Sequence, residues 1–508
     1  MYQYQKDADS VADSISKAYG KASSYIASEI DKIFRTFQTD GGLTEAEARR
    51  LLRKLPKRIT LDRLSAVISR IADPQKRKRL LAVIQSPAYA YRINRFERLQ
   101  RDIDEQLTQL GLMEQTVSEK HYADLADDAY YRAIFEIQKG IGFAFSFSRM
   151  SKSRVEEVLR QNWSGKLFSE RIWGRTDKIT QVLQEELLVQ FMTGRSYRKT
   201  AQAIEEEMAS GAMEARRLIR TESTYIANQS ELLSYKECGI EKYRFLATLD
   251  MRTSAICAEM DGKEFEISEA EAGKNLPPLH PWCRSTTVAA IDEDAERSMR
   301  KRAARDPKTG KPYTVPADMT YSEWKKSIDE KYGAGTWEKE RKKVANRSAD
   351  RKQFEKYKAV LGPKGMLNTF DKFQELKYNN ISAWNELKSD YRYRNRLNDK
   401  DVFVINDTVR SLPVDGRANS IADLVDENGV VKQRRIYGED KKPFRDFDTS
   451  DHKRPKYHPM GAHKHDFDYS KDNPHGKADY LSDRDLRQNS DIIQKGVNYH
   501  DDRPKETD

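Results

Sequence analysis

The sequence predicts a mainly α, elongated, multi-domain chain with one small α+β module and a small β-rich C-terminal appendix. Three observations carry this expectation. Apolar residues recur at spacings of three and four through most of the first 240 positions, the signature of amphipathic helices. Pro, Cys and His then concentrate between residues 220 and 285, where short strand-like strings alternate with loop. Beyond residue 400 the pattern changes again, and six of the eight histidines lie between His452 and His500.

The first 150 residues read as a helical arm. Ile15, Tyr19, Tyr25, Ile26, Ile30 and Ile33 set one apolar face on a helix over residues 8–37, which Gly41 and Gly42 end. Thr44 and Glu47 form a capping box ahead of Ala48, Leu51 and Leu52. Further helices are expected over 61–71, 76–85, 88–110 and 114–139. A Gly/Phe/Ser stretch at 140–150 reads as a short strand or an exposed apolar contact.

Residues 151–291 read as the α+β module. A helix over 176–192 ends at Gly194, Ser196 caps a helix over 197–208, and a third runs over 212–237 and closes at Gly239. Strands are expected at 243–249, 265–267 and 284–291, with loop at Pro277, Pro278 and Pro281 between the last two. Residues 292–400 read as a basic exposed linker followed by charged helices. Thr320 and Glu323 make a second capping box there, and helices are expected over 337–357 and 370–397. In residues 401–508, strands are expected at 401–406 and 430–437, with a turn at 426–429.

Composition narrows the function classes. Hydrophobic residues are 37% and charged residues 34%, too polar a balance for one large core. No apolar run reaches the ~18 residues of a bilayer span, and the start of the chain lacks the apolar stretch of a secretory signal. Three cysteines do not make a disulfide framework and fit a reducing compartment. The formal charge of +10 suits a polyanionic partner, although 91 basic against 81 acidic groups is also what widely solvated helices carry.

Four sets of residues can carry chemistry. Cys257, His280 and Cys283 have the ligand types and the tight spacing of a zinc site, but Ser254 stands where a further cysteine would complete it. Packed reduced thiols, or a bridge formed after release from the cell, are the other readings. Arg220, Glu222, Asn228, Asp250 and Arg252 make either a polar active site or a buried network tying helix to sheet. No nucleophile–base pair or phosphate loop accompanies them, so no catalytic residue is assigned. His463 and His465, with acidic neighbours and His458 and His475 nearby, can bind a metal, serve a hydrolase, or merely lie exposed. Trp337 with Arg341, and the Tyr/Arg alternation at 391–396, can stack on bases and touch phosphates, or cover a partner surface. Cys238, beside Gly239 at a helix end, reads as a small core residue.

The chain resembles the phage Mu F-like family of minor head proteins. The resemblance rests on Arg220-Thr221-Glu222, Asn228, Tyr235, Gly239, Tyr243, Asp250-x-Arg252-Thr253, Cys257, Asp261-Gly262-Lys263-x-Phe265, Pro277-Pro278 and His280-Pro281-x-Cys283-Arg284. It extends to residues 163–173 and 356–384, similar to minor head proteins of phages of Gram-positive bacteria. The family pattern often has cysteines where this chain has Ser254 and Ser285. The resemblance implies a non-enzymatic virion protein, packaged in few copies inside the procapsid in the host cytoplasm. Its implied partners are the portal, scaffold or major capsid protein, and packaged double-stranded DNA. Arg220, Glu222, Asn228, Asp250, Arg252, Asp261, Gly262 and Pro281 become structural motif residues, and the only cofactor in view is a zinc ion on Cys257, His280 and Cys283. The alternative is a delivery module carrying a toxin or nuclease-like domain in residues 400–508.

Overall fold

A computed structural model describes residues 1–34, 44–52, 68–85, 87–142, 144, 146–193, 195–291, 300–362 and 369–501. The glycines at 41, 42 and 194, most of the helix expected over 61–71, and Phe143 and Phe145 lie outside them. The chain forms two compact units, Met1–Ala334 and Gly335–Asp508. The boundaries read from composition, near 150, 291 and 400, fall inside these units. The fold is mainly α with small sheets and a β-rich C-terminal region.

The first unit is built on helices α1 (Tyr2–Phe34), α2 (Glu45–Leu52), α3 (Pro74–Gln85), α4 (Pro87–Ile141), α5 (Lys152–Arg160), α6 (Phe168–Thr193) and α7 (Tyr197–Glu237). The buried face of α1 is Ala8, Ala12, Ile15, Tyr19, Ala22, Ile26 and Ile30, a regular three-four alternation. Tyr25, expected on that face, is exposed. Two helices run through glycines that the sequence reads as gaps. Gly111 lies in α4, where an added Cβ would come 3.1 Å from Trp173 and Thr176. Gly211 lies in α7, where it would come 2.6 Å from Ile179 and 2.8 Å from Tyr19. Both serve close helix approach, which outweighs their cost of about 1 kcal/mol in a helix interior. A buried polar knot joins α1, α4 and α6. Arg175 pairs with Glu114 and donates from Nε to the Tyr19 hydroxyl at 3.0 Å, which in turn donates to Glu114 at 3.2 Å.

The Thr44–Glu47 capping box forms, with reciprocal bonds of 2.9 and 3.3 Å. Ser196 holds the N-cap position of α7, but its hydroxyl makes no capping bond.

After α7 comes a three-stranded antiparallel sheet of β1 (Lys242–Leu246), β2 (Glu264–Glu266) and β3 (Thr286–Ala289), ordered β2-β1-β3. Helix α8 (Ala255–Met260) lies between β1 and β2. Part of the stretch expected to be an exposed linker is instead a hairpin of β4 (Lys301–Arg305) and β5 (Pro312–Pro316). Ala304 and Val315 are its buried residues, and Arg302 is drawn inward by a carboxylate. The Thr320–Glu323 capping box forms as expected on α9 (Tyr321–Tyr332).

The second unit opens with α10 (Thr336–Ala345), α11 (Arg347–Leu361), α12 (Phe370–Asn379) and α13 (Ile381–Asn398). Each of the two expected long helices is broken at an asparagine. Asn380 accepts from the Ala383 amide at 3.0 Å and so starts α13 rather than continuing α12. The Tyr/Arg alternation does not offer rings for base stacking: Tyr391 stacks on Tyr357 at 4.1 Å and Tyr393 is buried. Trp337 is buried under Arg341.

A five-stranded sheet follows: β6 (Asp401–Val404), β7 (Ile421–Val425), β8 (Val431–Tyr437), β9 (Pro443–Asp448) and β10 (His463–Asp466), ordered β10-β9-β8-β7-β6. Only β6 and β7 pair in parallel. Asp426 closes the expected turn, accepting from the Asn428 amide at 3.0 Å and the Val430 amide at 2.9 Å. Helix α14 (Asp483–Gln488) completes the unit.

Candidate functional site

The motif-bearing loop at 277–285 docks on the middle of α7, and the docking is polar. The Thr221 hydroxyl accepts from the Trp282 amide at 3.1 Å. One turn on, the Thr224 hydroxyl donates to the Cys283 carbonyl at 2.8 Å and accepts from the Gln5 amide at 2.7 Å. Arg220 is bonded to Asp9 of α1 at 2.6 Å, with its guanidinium 5.7 Å from the Trp282 ring centroid. Trp282 adopts φ 67°, a left-handed turn conformation that is uncommon for a bulky residue. The loop is thus held to α7 by backbone groups that the two threonines satisfy.

The loop carries Cys283 and His280 to Cys257 at the start of α8. Cys257 Sγ lies 3.6 Å from Cys283 Sγ and 3.3 Å from His280 Nε2. His280 donates from Nδ1 to the Pro281 carbonyl at 2.7 Å, which leaves Nε2 as an acceptor for the Ser254 hydroxyl at 2.8 Å. Ser254 also caps α8 by accepting from the Cys257 amide at 3.2 Å. Cys283 acts as the thiol donor to Cys257, so the Cys257 thiol is shifted down and that of Cys283 up. The three ligand atoms lie within 4.8 Å of one another. Two sulfurs at ~2.3 Å from one tetrahedral ion would stand roughly 3.8 Å apart, so these residues fit zinc, with Ser254 the hard, weak fourth neighbour. Without an ion the same atoms bond among themselves, Cys283 to Cys257 and Ser254 to His280.

Asp250 holds this loop through Arg284, and Asp261 ties the β4–β5 hairpin and α9 to the end of β1. Asp250 receives the Arg284 guanidinium, Nη2 at 2.8 Å, and the Arg252 amide at 2.9 Å. The Arg252 side chain itself is largely exposed. Asp261 accepts from the Ala247 and Tyr321 amides, each at 2.7 Å, and from Arg302 at 3.0 Å. Gly262 follows at φ 84° and donates to the Phe245 carbonyl at 2.9 Å. Asn228 is buried within α7, its amide on the Thr224 carbonyl at 2.8 Å.

Beside the docked loop lies a cleft of about 670 Å³, lined by Trp163, Arg171, Arg217, Glu222 and His280 among others. Glu222 is buried and accepts from the Trp163 indole at 3.0 Å. Burial pushes its carboxyl up to about 7, against which the Trp163 bond pulls down. An acid poised there can exchange a proton near neutral pH. Yet among the described residues around the cleft no nucleophile is paired with it.

The sequence-predicted set therefore does not converge. Cys257, His280 and Cys283 meet. Arg220, Glu222 and Asp250 each answer a different partner, namely Asp9, Trp163 and Arg284. Arg284, Arg302, Thr221, Thr224 and Ser254 hold the arrangement together, and sequence reasoning singled out none of them as site residues. Arg284 and Thr221 had a signal in their places inside the motifs, and Ser254 in standing where the family pattern often has cysteine.

Residues 181–288 match the family model described as Phage Mu protein F like protein. An Enterococcus faecalis protein, NAD(+)--arginine ADP-ribosyltransferase EFV, is 26% identical over 184 residues, covering 34% of this chain and 38% of the relative. The chain thus spans well under half the length of that relative. No solved structure matches the chain. Helix α7, strands β1 and β2 and the docked 277–285 loop all fall inside the matched residues, so this module is similar to the phage Mu F-like family.

Proposed function

We propose that the protein is a phage minor head protein, carried in a few copies inside the procapsid, bound to the portal and in contact with packaged DNA. The Mu F-like match over 181–288 carries this reading. The site supports it: the motif residues are spent on holding a loop to a helix and a sheet, as a scaffold requires. The Cys257, His280 and Cys283 group is then a staple, and a zinc ion on it would serve the same end. No helix among the described residues is long and apolar enough to cross a membrane. Docking falls to the helical arm, where Phe135 and Ile141 of α4 are exposed. The test is co-expression with the portal, scaffold and major capsid protein of the same phage. The protein enters procapsids that contain portal and is missing from portal-less shells, and Phe135→Glu lowers its copy number. Equal entry without portal overturns the docking. The formal charge of +10 supports DNA contact, which salt should weaken steeply.

A second reading is favoured by the relative named as an arginine ADP-ribosyltransferase. In it the Mu F-like module carries an enzyme in residues 400–508. Full-length protein incubated with labelled NAD+ and an arginine-rich acceptor would transfer label; transfer at background level removes that activity.

A further inference from the structure

The sheet of the second unit holds three buried carboxylates, and two are answered by arginine. Asp423 of β7 binds Arg434 at 2.7 and 2.9 Å, and Asp446 of β9 binds Arg435 at 2.7 and 2.6 Å. Asp448, two residues on, has no such partner. Its Oδ1 accepts from the neutral Gln433 amide at 3.0 Å. Its Oδ2 faces three imidazoles, with Nε2 of His452 at 3.7 Å, of His463 at 3.8 Å and of His465 at 3.5 Å. His463 and His465 stand too far for hydrogen bonds, and the exposed His452, whose basicity Asp448 raises, is the one imidazole that answers its charge.

The tautomers sharpen the point. His463 donates from Nδ1 to the Gly461 carbonyl at 2.9 Å, and His465 from Nδ1 to the Gly476 carbonyl at 2.8 Å. Each ring therefore turns its Nε2 toward a carboxylate oxygen. His463 is wholly buried and its Nε2 has no hydrogen-bond partner. Lone pairs converging on an anion out of water repel unless a cation stands among them. Ligands at ~2.0–2.2 Å from one tetrahedral ion would lie about 3.3–3.6 Å apart, close to the spacing seen here. Backbone carbonyls fixing Nδ1–H, and an amide on the far carboxylate oxygen, are the supports that metal ligands receive. The ligand atoms of Asp448, His452 and His463 lie within 4.8 Å of one another.

We propose that Asp448, His452 and His463 bind one divalent transition-metal ion of the zinc class, with His465 beside them. Asp448 comes from strand β9 and His463 from strand β10. His452 comes from the segment between them, so the ion clips that segment to the sheet. Imidazole and carboxylate donors select zinc, cobalt or nickel over calcium or magnesium. The proposal does not depend on the head-protein reading, since it concerns residues outside the matched module.

The experiment uses full-length protein stripped with chelator and titrated with Zn²⁺ by calorimetry and with Co²⁺ by visible absorption. The wild type takes up zinc at this site, and cobalt there gives ligand-field bands without the thiolate charge-transfer band that Cys257 and Cys283 would produce. Asp448→Asn and the half-exposed His452→Ala each weaken the site at least about 10-fold, while Cys257→Ser leaves it intact. His452→Ala guards against a folding defect, because that ring lies outside the core. No saturable uptake by the wild type overturns the proposal. So does uptake that vanishes in Cys257→Ser and persists in Asp448→Asn, or uptake unchanged in both histidine-site variants.

Discussion

Two clusters among the described residues contain histidine beside acidic or thiol groups, and they differ in how their lone pairs are met. At Cys257, His280 and Cys283, Ser254 donates to the imidazole and one thiol donates to the other, so the imidazole nitrogen has a donor. At Asp448, the imidazole nitrogens of His463 and His465 and the carboxylate oxygen face one another, and His463 Nε2 has no donor. Residue types alone point to the first cluster, because cysteine is the more familiar zinc ligand. Hydrogen-bond accounting points to the second. The general lesson is that a ligand set is diagnosed by what its lone pairs lack.

The largest effect expected concerns charge answered by charge. Arg434 is fully buried between Asp423 and Asp491. Arg434→Ala should cost about 3–5 kcal/mol by stranding the carboxylates, read as a fall in the urea midpoint together with faster amide exchange in β8. A small effect would mean that this sheet tolerates uncompensated carboxylates, and the case against an ion-free Asp448 would weaken. Next, zinc at about 100 times its dissociation constant should stabilise the wild type by about 2.7 kcal/mol. Thermal melts should show that gain cut to about half or less in Asp448→Asn and kept in Cys257→Ser; the reverse pattern would exchange the roles of the two clusters.

A pH test separates the Mu F-like cleft from both clusters. Glu222 is raised by burial from 4.5 to about 7, so the folded protein keeps a proton that the unfolded chain releases. Its contribution is full below about pH 4.5 and is lost as pH rises through about 7. Glu222→Gln should change little near pH 4 and stabilise by about 1–3 kcal/mol near pH 8; melts at the two pH values decide it. The smallest effect is Ser254→Ala, which removes the cap of α8 and the donor to His280. It should cost about 1 kcal/mol in chemical denaturation. A far larger loss would mean that the thiol cluster does not hold by its own bonds.

Much of the helical frame was legible because burial there follows the 3.6-residue period, as Ala8 to Ile30 of α1 shows. The capping boxes at Thr44 and Thr320 were legible because they are local chemistry. Gly111 and Gly211 misled, since local propensity cannot see the Trp173 and Tyr19 side chains that need the space. Strands β9 and β10 were missed for a related reason. PFRDFD and HKHD carry charge inward, and only pairing with Arg435 and the shared histidine pocket makes that burial tolerable.

By itself the sequence determined the α-rich class, the position of the Mu F-like module and the residues that crowd its loop, because periodicity, caps and motif spacing are written along the chain. Tertiary structure alone decided that Arg220, Glu222 and Asp250 answer three different partners, and that Asp448 meets His452, His463 and His465. Those outcomes depend on which strand lies beside which and on where each lone pair points, and neither is a property of neighbouring residues.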